Sequence, residues 1–249
     1  MKVVALYSIK GGVGKTATAV NLAYLSAAAG QRTLLWDLDP QGAASFYLRV
    51  RTAVAKPKKL LRGKRPLDDA VKGSDFERLD ILPADPAYRR MDLLLDEAKK
   101  PKAQLGQLIA PVREGYDLLI LDCPPSLTLV SENVFRAVDA LLVPVIPTPL
   151  SLRTLTQLLD FLAAEGLGDV AVWPFYALAD RRKRLHQGIL AAAPDPRATM
   201  LATVIPYRSE VEQMGVHRAP VAAYAPASQA AEAYAALWRE AAGRLGVAS

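Results

Sequence analysis

Thiol and imidazole chemistry are nearly missing from this sequence. Of its 249 residues one is cysteine, Cys123, and two are histidine, His186 and His217. A lone thiol excludes a disulfide framework and a cysteine-rich zinc or iron–sulfur site within one chain, and fits a reducing compartment. Even a dimer would bring two thiolates where a bridged four-iron cluster needs four. The histidines stand far along the chain from the acidic motifs, which argues against triad or histidine-metal chemistry. No apolar run approaches the roughly 18 residues needed to span a bilayer, and no basic n-region with a cleavage site precedes the first glycine-rich loop. These absences predict a soluble, cytoplasmic protein. Internal repeats are absent too, and 51% hydrophobic with 22% charged residues is far from the composition of a disordered chain.

What is present is a cationic α/β pattern. Lysine and arginine exceed the acids by 31 − 25 = +6, a bias toward polyanions such as nucleic acid or acidic lipid. Short apolar runs alternate with segments of helical period, as in a doubly wound, mainly parallel sheet with helices on both faces. The pattern predicts strands over 2–8, 33–37, 79–82, 117–122, 140–146, 170–178 and 201–205. It predicts helices over 15–29, 86–99, 103–113, 127–137, 152–165, 182–192 and 228–245. With no clear boundary, 1–249 reads as a single domain. One segment departs in composition: 49–65 holds Arg49, Arg51, Lys56, Lys58, Lys59, Arg62, Lys64 and Arg65 with no acid. A solvated loop and a polyanion contact explain such a run equally well.

The strongest motif is Lys10-Gly11-Gly12-Val13-Gly14-Lys15-Thr16, followed by Ala17, between the first predicted strand and first predicted helix. That context defines a phosphate loop. The glycines let the backbone turn tightly and aim N–H groups inward, Lys15 supplies charge to the β and γ phosphates, and the Thr16 hydroxyl can ligate magnesium. The loop departs from the usual pattern, because Ile9 stands where the first glycine would be and an extra cation, Lys10, follows it. Lys10 can approach the phosphate from another direction or face a neighbouring subunit.

Two acidic strand ends accompany the loop. Leu34 to Asp37 is an apolar run that delivers Asp37 and Asp39, and Leu118 to Asp122 repeats the arrangement as a Walker B acid. Ligands of open α/β sheets bind at that edge, where a carboxylate can hold magnesium-bound water or orient the water that attacks a γ-phosphate. Cys123-Pro124-Pro125-Ser126 follows as a stiff loop suited to sensing that phosphate. Without a histidine beside it, Cys123 reads as a small buried residue rather than a nucleophile.

The segments KGGVGKT, LLWDLDPQG and LLILDCPPS together resemble the ParA/MinD family of deviant Walker A P-loop ATPases, and most of all its short, stand-alone Soj-like members. The resemblance runs the whole chain and implies a P-loop NTPase fold with ATP and Mg2+ as cofactors. It makes Lys10 the signature lysine that reaches a partner's phosphates across a nucleotide-sandwich homodimer, with Lys15 and Thr16 the in-chain phosphate and magnesium residues. Asp39 matches the acid that couples hydrolysis to dimerisation; Asp37 and Asp122 match the magnesium-water shell. Pro206 and Arg208 fall in the adenine-contacting loop. Arg181, Arg182, Lys183 and Arg184 fall where the family binds double-stranded DNA without reading sequence, Arg182 matching best. Soj-like proteins often place a second DNA-contacting arginine directly after the proline; here Tyr207 stands there, followed by Arg208.

The function so implied is slow ATP hydrolysis stimulated by a ParB-like partner, in a nucleoid-associated dimer that positions a plasmid, a chromosomal origin or a protein assembly. A MinD-like membrane switch is the first alternative. The tail 230–249 balances Arg239 and Arg244 with Glu232 and Glu240 and poorly matches a basic amphipathic anchor, so no stable membrane association is expected. A metabolic ATP-dependent ligase or amidotransferase shares the fold, but no glutaminase nucleophile arrangement is evident.

Overall fold

The computed structural model of the protein describes residues 1–192 and 195–249. In chain order its elements are β1 (Lys2–Leu6), α1 (Lys15–Ala28), β2 (Thr33–Asp37), α2 (Ala43–Tyr47), α3 (Pro57–Leu61), β3 (Lys72–Gly73), β4 (Leu79–Leu82), α4 (Met91–Asp96), α5 (Gln104–Ile109) and β5 (Leu118–Asp122). They continue with α6 (Leu129–Ala137), β6 (Ala140–Val145), α7 (Pro149–Ala164), β7 (Ala171–Ala179), α8 (Arg184–Leu190), β8 (Val204–Pro206), α9 (Ser209–Glu212), α10 (Met214–His217), α11 (Val221–Tyr224) and α12 (Gln229–Leu245). Among the described residues the strands form one sheet in the order β3-β4-β2-β5-β1-β6-β7-β8. All neighbours are parallel except β3 and β4.

Every residue of β2, β5 and β6 is buried, as continuous apolar runs covered by helices on both faces must be. The sheet separates two cores. One gathers Tyr7, Trp36 and Phe135 beneath α4 to α7; the other gathers Leu22, Phe175, Tyr234 and Trp238 beneath α1 and α12. Asn21 pins the second layer: its Nδ2 donates to Ala17 O (2.8 Å) and its Oδ1 accepts from Val221 N (2.8 Å). A buried amide satisfied on both ends fastens the chain after β8 behind α1, where an unpaired group would cost about 1–3 kcal/mol.

Several predicted elements are shorter or broken, each for a local reason. The predicted helix over 86–99 begins as a 3-10 turn at Pro86–Arg90, with Asp85 accepting from Ala87 N, and becomes α-helical only over Met91–Asp96. The one over 103–113 keeps its α form only over Gln104–Ile109, because Pro111 removes the next donor. Helix α7 starts earlier than predicted, with Pro149 at its first position and Thr148 capping Ser151 N. Strand β8 starts later than predicted, because the Glu240 carboxylate takes the N–H groups of Ala202 (2.9 Å) and Thr203 (3.1 Å). The segment 49–65 is no simple loop: it contains α3, whose Leu60 and Leu61 are fully buried. Val54 N donates to Asp85 (2.9 Å), Arg65 pairs with Asp69 (3.0 Å), and Arg62 pairs with Glu97.

Candidate functional site

The phosphate-loop sequence lies between β1 and α1 as predicted. Gly12 (φ 71°) and Gly14 (φ 92°) occupy the left-handed region, where a Cβ is strained, so these two positions need glycine. Gly14 is the residue before α1, and neither a capping side chain nor an acid occupies the first turn. The free N–H groups and positive dipole end of this 14-residue helix therefore open onto the loop. Lys15 is only 6% exposed and its Nζ donates to Lys10 O at 3.4 Å. Burial lowers the pKa of its ammonium, while Asp122, Cys123 and Asp39 pull it back up. Lys10 is half-buried at the loop entrance, and among the described residues nothing accepts from its ammonium.

Three acids meet this loop because of strand register. Asp37 and Asp122 are direct partners across β2 and β5, and Asp122 pairs with Leu6 at the end of β1. Both carboxylates are fully buried. Asp37 Oδ2 accepts from Ser45 N (2.8 Å) and Ser45 Oγ (2.7 Å), but among the described residues its Oδ1 and both oxygens of Asp122 have no partner in hydrogen-bond geometry. Burial pushes Asp37 up to about 6, with Asp39 adding and the Ser45 bonds opposing. Burial also raises Asp122 well above the carboxylate range, helped by Asp37, against the Thr16 hydroxyl and the Lys15 ammonium. Three orphaned buried carboxylate oxygens beside a hydroxyl and an anion-binding loop suit a hard divalent cation whose other ligands are phosphate and water. Asp39 stands half-exposed on the following turn, its Oδ1 accepting from Gln41 N (2.9 Å).

That burial of Asp37 gives a pH prediction. A carboxyl whose folded pKa is raised binds more protons folded than unfolded, so stability falls as pH rises through the interval from about 4 to about 6. Asp37→Asn keeps the Ser45 acceptor and removes the charge. Without divalent cation at pH 7.5 it should raise Tm by at least about 4 °C, the shift for a gain of at least about 2 kcal/mol, and the gain should fade at pH 4. Thermal unfolding at the two pH values checks this.

The loop after β5 is fastened to β1. Cys123 N donates to Leu6 O (3.2 Å), and Tyr7 Oη donates to Ser126 O (2.9 Å) while its ring packs edge-on against Phe135 at 4.8 Å. Cys123 is buried, as expected of a small packing residue, and burial beside Asp122 pushes its thiol well up. Sequence reasoning missed Ser45 and Tyr7. Ser45 grips Asp37 and also accepts from Ala84 N (3.0 Å); its one signal was its place three residues after Gly42.

A separate cleft of about 740 Å³ lies between the ends of β7 and β8 and α12, lined by Pro206, Arg208, Arg181, Arg182 and Asp180 among others. The structure thus joins the predicted adenine-loop residues to half of the basic block, while Lys183 and Arg184 lie outside the cleft and are exposed. Asp180 holds Arg182 through Nε (2.9 Å) and Nη2 (3.0 Å) and also accepts from Arg182 N (3.0 Å). This turn delays α8 to Arg184, two residues later than predicted. Tyr207 is 48% exposed, with its hydroxyl donating to Glu212 (2.7 Å), and Arg208 pairs with Gln229.

A mainly parallel sheet with a glycine loop leading into α1, and acids at the ends of the two strands beside it, defines the P-loop nucleoside-triphosphatase class. The profile of a family described as an AAA domain matches residues 1–164. The sporulation initiation inhibitor protein Soj of Bacillus subtilis is 31% identical over 96% of this chain and 97% of its own. Among solved structures, apo McdA of Cyanothece superposes with a TM-score of 0.82 at 23% identity, covering 97% of this chain and 99% of its own. MinD of Pyrococcus horikoshii, complexed with Mg-ADP, superposes at 0.78 with 23% identity, covering 98% and 97%. The last two show likeness of fold. This chain belongs to the ParA/MinD family of deviant Walker A ATPases and is Soj-like.

Proposed function

We propose that the protein is an ATP-driven switch: ATP joins two copies into a dimer, the dimer binds double-stranded DNA without reading sequence, and hydrolysis returns it to the monomer. The observation that carries this reading is the convergence of Lys15, the open end of α1 and three unpartnered buried carboxylate oxygens on one loop. Soj and a chromosome partitioning ParA among the relatives support positioning or segregation of DNA or another large cargo as the output, with a ParB-like activating partner.

Residue roles follow from placement. The backbone N–H groups of Gly11 to Ala17 and the Lys15 ammonium bind the β and γ phosphates. Thr16, with Asp37 and Asp122 acting through water, would hold Mg2+, which supplies charge to offset that developing on the transferring phosphoryl group. Asp39 orients the attacking water from its half-exposed turn. Lys10, unpaired at the rim, reaches the partner's phosphate, so the nucleotide is shared between copies. The cleft at Pro206 and Arg208 takes the adenine. Tyr7, through Ser126, holds the proline loop where it can distinguish the triphosphate from the diphosphate.

The membrane-switch alternative is disfavoured by α12. Its apolar face, including Tyr234, Leu237, Trp238 and Leu245, is buried in the core, so it is not free to lie in an interface. Among the described residues no helix is long and apolar enough to cross a membrane.

Light scattering with and without ATP tests the switch; an unchanged mass would refute the dimer. DNA retention with ATP, with ADP and without nucleotide, at two salt concentrations, tests the rest. Arg182 is solvent-exposed although Asp180 is largely covered, and an ion pair with an exposed partner is weak, so phosphate competes with Asp180 for Arg182. Arg182→Glu should weaken ATP-dependent binding equally across unrelated duplexes and reduce the slope of log K against log salt by about 1 or more. Loss confined to one sequence would contradict sequence-independent contact.

A further inference from the structure

The basic run of 49–65 does not act alone in the folded chain. The end of α3 meets the end of α4 and the flank of α5 around a groove of about 630 Å³, lined by Arg62, Gly63, Lys64, Lys99 and Gln107 among others. Two stretches more than thirty residues apart thereby bring Arg62, Lys64 and Lys99 to one groove, with Lys56, Lys58 and Lys59 next along the chain in and before α3 and Lys100 beside Lys99. Lys56, Lys58, Lys59, Lys64, Lys99 and Lys100 are all exposed, and among the described residues none has a carboxylate within 4.0 Å. The arginine in the middle, Arg62, is already paired with Glu97. The backbone here is held: Leu60 and Leu61 are fully buried, and Gln104 Nε2 donates to Leu61 O (3.2 Å). The lysines of α3 and Lys64 therefore project from an anchored segment.

We propose that this face is a second binding surface for double-stranded DNA, separate from the Arg181–Arg184 block and independent of nucleotide. Six exposed, unpaired lysines in and flanking one groove are the electrostatic footprint of a polyanion, since each lysine that neutralises a phosphate releases a condensed counterion. The free cations are all lysines, point charges on flexible stems that meet phosphates without the bidentate geometry arginine uses for carboxylates. A duplex backbone, with phosphates at regular intervals, needs only charge at intervals. A lipid surface fits less well, because no large apolar side chain of 56–64 or 97–108 is exposed to enter the acyl region. None of the groove residues belongs to the phosphate loop, the three acids or the β7–β8 cleft, so its charge is displayed with or without ATP. The choice of DNA as the polyanion rests on the functional reading above. Its consequence is that a chain released by hydrolysis retains a weak hold on DNA, and that one molecule can touch two duplex segments.

The test compares the intact chain with K58A/K59A/K64A/K99A, four exposed side chains whose loss leaves the core unchanged, as an unaltered Tm verifies. Retention on an unrelated duplex is measured without nucleotide and with ATP, across salt. Without nucleotide the variant should bind at least about tenfold more weakly at low salt, with a salt slope shallower by about 3. The extra binding that ATP brings should persist in the variant. Nucleotide-free binding of equal strength and slope in both proteins overturns the inference. So does a variant that loses retention on phosphatidylserine vesicles while its DNA binding is unchanged, which would assign the face to lipid. Absence of an ATP increment in both proteins would refute the switch instead, and leaves the lysine comparison readable by itself.

Discussion

Lys15→Ala should abolish every nucleotide-dependent property of the protein at once. The side chain is nearly buried, its ammonium is held against Lys10 O, and Asp122 and Asp39 face it. An ammonium so placed is already desolvated and aimed, so a phosphate that replaces the backbone acceptor gains charge-assisted hydrogen bonds without further ordering. Two such bonds contribute about 3–6 kcal/mol, and their loss should weaken ATP binding by roughly 10²–10⁴-fold. The effect on folding should be smaller, because removal of a buried cation relieves its desolvation cost while it leaves Asp122 with one less partner. Asp122 then holds its proton more tightly, since Lys15 is one of the groups that lower its pKa. Calorimetric titration with ATP and Mg2+ and circular dichroism separate the two consequences. Retained ATP affinity in a folded variant would remove Lys15 from the phosphate site.

Much of this site was legible in the sequence because its parts are short and local. Glycines at 12 and 14 allow the left-handed backbone that the loop requires, a lysine and a hydroxyl follow at fixed spacing, and two apolar runs end in acids. Parallel pairing then brings Asp37 and Asp122 side by side whatever the loops between them do. The order β4-β2-β5-β1-β6 could not be read in the same way, since it depends on which runs pair. Nor could Ser45, whose role arises only when α2 folds back over the end of β2. Among helices, α1 and α12 ran close to their predicted limits because Lys15 and Gly30, and Ser228 and Gly246, punctuate them. The apolar spacing of 86–113 predicts two long helices, but Pro86 opens the first as a 3-10 turn, Pro101 opens another between them and Pro111 ends the second. The basic run shows the same limit from the opposite side. Its charge was plain, but that Leu60 and Leu61 anchor it beside Lys99 is a fact of packing.

Asp39→Ala should do the opposite of Lys15→Ala: keep the ATP state and stop its turnover. Asp39 lies outside the buried pair, on a turn closed by Gly42 N donating to Asp39 O (2.9 Å), and one carboxylate oxygen is held by Gln41 N while among the described residues nothing donates to the other. Gly42 keeps that turn narrow, with φ at 69°; a Cβ there would lie 2.5 Å from Thr52 Cγ2. A half-exposed carboxylate on a rigid turn is well placed to orient a water and receive its proton, and poorly placed to contribute to folding. Loss of such a group typically costs about 10²–10⁴-fold in rate. Stability should change by no more than about 0.5 kcal/mol. Binding should even strengthen slightly, since Asp39 opposes ionisation of both Asp37 and Asp122, and its removal eases the charge those groups must carry to hold a cation. The variant should therefore accumulate as a dimer with ATP and stay on DNA after a chase with ADP. Asp39→Asn, which keeps the Gln41 contact but cannot take the proton, should behave alike. Wild-type phosphate release in either variant would assign water activation to another group, and a monomeric ATP complex would show that Asp39 serves the interface rather than the reaction.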